Sequence, residues 1–207
     1  MLLVEKGADV NAIGTAADGN SGAPLWWAAQ GVECGKAGGL ELARLLVEKG
    51  ADVKAAGTDD NGNVSTPLWL AAAAVLYGKA GALGLAMHLV EQGADVDAVG
   101  KDGDGDSCTP LWWAAMAVHR GRAGGLALAT LLVEKLVQLG AGVNAVGTCG
   151  DLSGTPLRFA AEAVRDGKAD GPELVKILTS AGARLADGEK NEFQDIIRLH
   201  GLTRKHD

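Results

Sequence analysis

The order of apolar and polar positions along this 207-residue chain repeats itself. The run LLVEKGADVN at Leu2 to Asn11 returns as LLVEKGADVK at Leu45 to Lys54 and as HLVEQGADVD at His88 to Asp97. Diverged copies follow, LLVEKLVQLGAGVN from Leu131 and ILTSAGARLA from Ile177. A second run keeps the same beat, as APLWWAA from Ala23, TPLWLAA from Thr66, TPLWWAA from Thr109 and TPLRFAA from Thr155. Its prolines Pro24, Pro67, Pro110 and Pro156 lie 43, 43 and 46 residues apart. A period of this size marks a solenoid, in which a unit too small to bury its own apolar face buries it against its neighbours.

Each unit reads as two helices and a finger. Thr-Pro opens the first helix, with proline in the first turn where its missing N–H costs nothing. The Ala-Ala pair lets a neighbouring helix approach closely, and Val32, Val75, Val118 and Val164 recur at one helical position as a core stripe. Gly35, Gly78, Gly121 and Gly167 stop these helices, and a Lys/Arg-Ala loop leads into the second helix. There Leu42, Leu45 and Leu46 sit at i, i+3 and i+4, an amphipathic face that ends at Gly50 and, in later units, at Gly93 and Gly140. Asp18-Gly19, Asn61-Gly62 and Asp104-Gly105 then predict two-residue hairpin turns, whose two central positions favour positive φ. The fourth finger is one residue shorter, at Asp151-Leu152, and is expected to differ in shape. In unit three, LVQL extends the second helix by about one turn, roughly 6 Å, which predicts a local protrusion. Phe193, Ile196 and Ile197 predict an amphipathic helix closing the far end.

The TPLW and GADVN motifs at fixed phase resemble the ankyrin repeat, a β-turn and two antiparallel helices with a TPLHxA signature. The resemblance runs from Leu2 to about Ala186 and implies an all-α repeat solenoid, a stack of helix pairs with projecting β-hairpin fingers. The array is expected to span residues 1–186, with a partial unit at 1–11 and units at 12–54, 55–97, 98–144 and 145–186, followed by a capping helix and tail at 187–207. Units of 43 residues are about ten longer than the family's 33. The signature histidine is replaced by Trp26, Trp69, Trp112 and Arg158. An indole N–H donates but does not accept, so the loop-bridging that the resemblance implies for the histidine loses its acceptor. The run from Leu3 to Asn11 also resembles ankyrin sequences accepted by asparaginyl hydroxylases, which would make Asn11 the modified residue.

Composition narrows the function. Glycine supplies 31 residues, yet 47% of the chain is hydrophobic, enough for a buried core. The longest apolar run, Leu68 to Tyr77, is half of what a bilayer crossing needs, and no secretory signal is visible, so a cytoplasmic location is expected and a membrane partner is not. A formal net charge of -7 argues against nucleic acid, whose binding rests on clustered Lys and Arg. Cys34, Cys108 and Cys149 lack metal-ligand spacing, though Cys108 and Cys149 fall on neighbouring fingers. The beginning of the chain inside a second helix predicts a monomer or part of a longer chain.

With the scaffold positions fixed by repetition, those left free become the candidates for recognition. In the first helices these are Gln30, Met116 and Glu162, then Glu33, Leu76, His119 and Arg165, then Tyr77 and Arg120. If the resemblance holds, they line a concave face with the fingers and bind a protein partner there, with Tyr77, Met116, His119 and Arg120 as central contacts. Asp59 and Asp60 in finger two, and Asp102, Asp104 and Asp106 in finger three, are expected to form a negative patch that steers a basic partner. The alternate aspartates superficially resemble the start of a calcium loop, but Ser107 stands at its sixth position and Trp113 at its twelfth. GKAGG at Gly35 to Gly39 lacks the Ser/Thr and the spacer of a phosphate loop and reads as an inter-helix turn. The histidines have no matched nucleophile, so neither a catalytic constellation nor a cofactor is predicted. The leading expectation is a non-enzymatic protein–protein interaction module. The alternatives are a targeting arm or fragment of a larger enzyme or receptor, and a cation-responsive module that uses the acidic hairpin loops.

Overall fold

A computed structural model describes residues 7–101 and 104–200. The first six residues of the partial unit, Asp102 of the acidic finger and the tail at 201–207 lie outside the described residues. The chain stacks four finger-and-helix-pair units. The first helices are α1 (Pro24–Glu33), α3 (Pro67–Leu76), α5 (Pro110–His119) and α7 (Pro156–Arg165), and the second helices are α2 (Gly39–Glu48), α4 (Ala82–Glu91), α6 (Gly125–Leu139) and α8 (Gly171–Ser180). A 3₁₀ turn (Asp187–Glu189) and α9 (Lys190–His200) close the array. The architecture is an ankyrin-like repeat solenoid.

Local chemistry sets each boundary. Thr66, Thr109 and Thr155 cap α3, α5 and α7, their hydroxyls accepting the backbone N–H of Trp69, Trp112 and Arg158 at 3.2, 3.3 and 3.2 Å. In unit one the cap residue is Ala23, and no side chain accepts there. Each first helix ends one residue before the predicted glycine's neighbour, and the glycine itself follows in the left-handed region, as at Gly78 (φ 67). Leu25, Leu68, Leu111 and Leu157, together with the paired alanines, fill the core between the helix layers. The LVQL insertion makes α6 15 residues long where its counterparts have 10, and leaves Leu139 71% exposed.

The fingers are β1 (Gly14–Thr15), β2 (Ser21–Gly22), β3 (Gly57–Thr58), β4 (Val64–Ser65), β5 (Gly100–Lys101), β6 (Ser107–Cys108), β7 (Gly147–Cys149) and β8 (Leu152–Gly154). The first six form one antiparallel sheet in sequence order, with Ser21 opposite Thr58 and Val64 opposite Lys101 across the unit boundaries. The expected two-residue turns do not form in fingers one and two. Ala16 and Asn20 pair through a 2.8 Å bond while the Gly19 N–H reaches Ala16 O at 3.1 Å, and the same pattern joins Asp59, Gly62 and Asn63. Only the glycine has positive φ, so each is a three-residue loop of a type I turn followed by a glycine bulge. An aspartate or asparagine thus stays in the right-handed region, where its side chain accepts the backbone N–H two residues on, as Asp18 does from Asn20. Finger four, one residue shorter, turns through Gly150 (φ 57) and Asp151 alone, with Cys149 opposite Leu152.

Indoles join the units. Trp26 donates through Nε1 to Ser65 Oγ at 3.0 Å, Trp69 to Cys108 O at 3.0 Å and Trp112 to Gly154 O at 3.1 Å. In each case the acceptor lies on the second strand of the next finger. That finger's first strand crosses the ring at Gly57, Gly100 or Gly147, where a Cβ would stand only 2.4, 2.3 or 2.3 Å from the indole. Arg158 has no fifth finger to reach. Glu189 closes unit four instead, its carboxylate accepting Thr155 N–H at 2.9 Å, Thr155 Oγ at 2.8 Å and Ala186 N–H at 2.8 Å. Phe193 of α9 is buried beside it, as its spacing predicts.

Three substitutions at caps and glycines have defined expected effects, each checked by chemical denaturation. Ala23→Thr supplies the cap that unit one lacks and should stabilise the chain by about 1 kcal/mol. Gly100→Ala should destabilise it by about 1–3 kcal/mol, whereas Gly84→Ala inside α4, where the new methyl meets only Arg44 Nη2 at 3.6 Å, should be stabilising by about 0.5–1 kcal/mol.

Candidate interaction face

Free positions of the first three units and the inner sides of the fingers border one groove with two adjoining recesses, whereas His119, Glu162 and Arg165 line neither recess. The first, a cavity of about 250 Å³, is lined by Gln30, Glu33, Ala73 and Tyr77 from the helices and by Asp59 and Asp106 from the fingers, with Trp69 and Trp113 between them. The second, of about 270 Å³, shares Tyr77, Trp113 and Cys149 with it and adds Leu76, Arg120 and Arg122. The cause of the first cavity is visible in the repeat. Unit two carries Leu70 where its neighbours carry Trp27 and Trp113, and Ala73 where they carry Gln30 and Met116. Side-chain volume missing from the middle unit becomes space in the groove.

Its walls are aromatic. Trp69 and Trp113 meet edge to face at 84° with centroids 5.2 Å apart, and Tyr77 lies 6.2 Å from Trp113, tilted by 53°. Trp113 is 4% exposed and its indole N–H has no acceptor, whereas the other four tryptophans all donate, Trp27 to Gly22 O at 3.0 Å. Tyr77, 51% exposed, stands at the mouth. Partial burial pushes its hydroxyl pKa up, and nearby Cys149, Glu33 and Cys108 add to the shift, so the phenol stays a neutral hydrogen-bonding group.

Not every predicted contact faces the groove as an open side chain. Met116 lines the second recess but is 1% exposed, because it packs into the core with the neighbouring first helices; it is a wall and not a protruding contact. Glu162 is also buried, and binds Arg158 Nε at 3.0 Å. Arg165 is drawn toward α9, with Glu192 at 2.6 Å and its guanidinium 5.3 Å from the centre of the Phe193 ring. Gln30, Glu33, Leu76, Tyr77 and Arg120 remain accessible. In the fingers, Asp59 is half-buried and Asp60 and Asp104 are exposed.

The acidic residues have internal work. Asp59 accepts the backbone N–H of Asn61 and Asn63, both at 2.9 Å, and Asp106 accepts Gly150 N–H from finger four. Asn20 stands at the register position of Asp106, and it accepts Asp60 N–H from the next finger at 3.0 Å. Side chains thus tie one finger to the next. No group of three or more His, Cys, Asp or Glu is placed to hold a metal ion among the described residues. Asn11 bridges units in a similar way, accepting Asp52 N–H at 2.7 Å and donating to Gly50 O at 3.3 Å. No helix among the described residues is long and apolar enough to cross a membrane.

His119, the last residue of α5, is half-buried against Phe159, with Glu162 and Asp166 each 3.9 Å from Nδ1. Burial lowers its pKa below the ordinary 6.5; Glu162 and Asp166 oppose that shift, and Arg120 and Arg165 reinforce it. The unfolded chain therefore takes up this proton more readily than the folded one, and stability falls as pH drops through and below 6.5. Replacing His119 by glutamine should remove that part of the slope, which pH-dependent denaturation of the two chains would measure.

Comparison with known proteins agrees with the fold. Residues 23–58 match the family model described as Ankyrin repeat. No curated protein matches the chain. A chain from the structure titled "Bd0816 Predatory Endopeptidase from Bdellovibrio bacteriovorus in complex with immunity protein Bd3460" is similar in fold, with a TM-score of 0.57 at 21% identity, over 96% of this chain and 83% of that one. The match runs from α1 into the first strand of finger two, and the later units repeat the same elements at a period of about 43 residues, so the chain has the fold of an ankyrin-like repeat solenoid.

Proposed function

We propose that the chain is a non-enzymatic protein–protein interaction module, which holds an extended segment of a protein partner in the groove between fingers and first helices. The observation that carries this reading is the convergence of the repeat's free positions on one continuous recess. Gln30, Glu33, Tyr77 and Arg120 come from three different units, yet they border two adjoining cavities that share Tyr77 and Trp113. A solved structure of similar fold is titled as a complex with a protein, which fits a fold used for binding.

The mechanism is pre-organisation. Indoles, finger-to-finger hydrogen bonds and a shared core fix the backbone of the groove before any partner arrives, so association orders few additional groups. Glu33 and Asp59 give one end a negative potential, while Arg120 and Arg122 give the other a positive one. A bound segment of complementary polarity is then oriented as well as held. A cytoplasmic location is proposed together with this function.

Affinity capture from a matched cell lysate tests the reading. The native chain should retain a protein that is lost by a Tyr77→Ala, His119→Ala, Arg120→Glu variant shown by circular dichroism to be folded. Equal capture by both chains would move the binding face elsewhere, and capture of nothing specific would overturn the proposal.

A further inference from the structure

We infer that the unit-two cavity is a receptor for one cationic side chain, arginine or lysine, of the partner polypeptide. The inference rests on the groove reading above and gives it a chemistry. The cavity has an aromatic corner, because Trp69 and Trp113 stand at 84° and Tyr77 closes a third side. These rings border the cavity, and an ammonium or guanidinium group seated against an open aromatic face gains a cation–π attraction. Its charged lining residues are Glu33, Asp59 and Asp106, with no Lys, Arg or His among them. Glu33 and Asp59 beside partly desolvated rings give the cavity a negative potential.

A peptide matches better than a free cation. Trp113, which lines the cavity, adds a buried indole N–H without an acceptor, a donor that a small rotation of the ring would offer to the main-chain carbonyl of an entering residue. A basic residue brings both halves, an apolar stem and cationic head for the rings and carboxylates and a carbonyl for the indole. The space exists because Ala73 and Leu70 are smaller than the residues at the same register in units one and three. Unit two is thus the repeat unit in which a side chain from outside takes the place of one from inside.

Indole signals in a ¹H–¹⁵N correlation spectrum give the test, since each of the five tryptophans reports separately. The probes are acetyl-Gly-Arg-Gly-amide, its lysine counterpart, and the citrulline peptide, a neutral isostere of the first. The arginine or the lysine peptide should move the Trp113 and Trp69 signals saturably, and the two arms tell guanidinium from ammonium; the citrulline peptide should leave them in place. Glu33→Gln should weaken binding about fivefold. Ala73→Met fills the cavity with the residue unit three carries at that register, and should abolish the shifts while the remaining spectrum stays dispersed. Should Ala73→Met disturb the fold, the half-exposed Glu33→Gln and the citrulline control still decide. Equal shifts with citrulline, or none with either basic peptide, overturn the inference. A captured partner that needs Tyr77 and Arg120 but binds Glu33→Gln and Ala73→Met at native affinity leaves the groove reading intact and removes the cationic anchor. Shifts with basic peptides and no captured protein keep the cavity's chemistry and remove the groove reading.

Discussion

The register of the whole stack depends on an indole sliding beneath the backbone of the next finger, which is possible only where that backbone carries no side chain. Each junction needs three features from two units at once: a tryptophan in the first helix of one, a glycine on the first strand of the next, and an oxygen on its second strand. Trp26 meets Gly57 and Ser65, Trp69 meets Gly100 and Cys108, and Trp112 meets Gly147 and Gly154. A donor-only group suffices because the next finger presents an oxygen to it each time, once from a hydroxyl and twice from the main chain. Truncating such a buried ring to alanine costs about 3–5 kcal/mol in general, more than any surface pair in the chain supplies. Position four, where no finger follows, is released from the constraint and carries arginine.

Fixing the first helices in this way also fixes what stands beside them. The residue after each indole, Trp27, Leu70 or Trp113, shares its register with Phe159 after Arg158, and its size helps set how much room is left in the groove. Where it is large the protein's own rings take up part of that space, as Trp113, Trp112 and Phe159 show in successive edge-to-face pairs with centroids 5.1 Å apart, beside the second recess. Where it is leucine, next to an alanine one helical turn on, the rings of the following unit are left facing a cavity. On the proposed reading, binding capacity arises from a local deficit of volume inside an otherwise overdetermined frame.

Repeat phase, helix pairs, terminating glycines, the longer α6 and the closing helix were all legible in the sequence, since repetition separates scaffold positions from free ones without any second sequence. The finger turns were not. Asp-Gly and Asn-Gly suit a two-residue loop in isolation, but the fingers pair across unit boundaries, and that lateral pairing favours the longer loop with a single left-handed glycine. Exposure at the free positions was legible only in part. Met116 and Gln30 share a register, yet Met116 is covered by packing in the middle of the stack, and Glu162 is drawn inward by the arginine that replaces an indole. The cavity left a trace in the alternation Trp27, Leu70, Trp113, but its meaning depends on which rings the stack brings together, a fact of packing between units and not of any one unit.

Electrostatics completes the logic of the groove. The chain as a whole carries a net charge of -7, and a uniform negative field would attract a basic segment without telling one direction of the segment from the other. Direction comes from placing Glu33 and Asp59 at the unit-two end and Arg120 and Arg122 beyond Tyr77. These poles border adjoining recesses, so in the proposed groove a reversed segment would meet like charge at both ends. Aromatic walls reward a ligand for being enclosed and are indifferent to its direction. The charged ends supply that discrimination, and they do so from the half-exposed rim, where a carboxylate or guanidinium keeps most of its hydration and the groove stays open until a partner fills it.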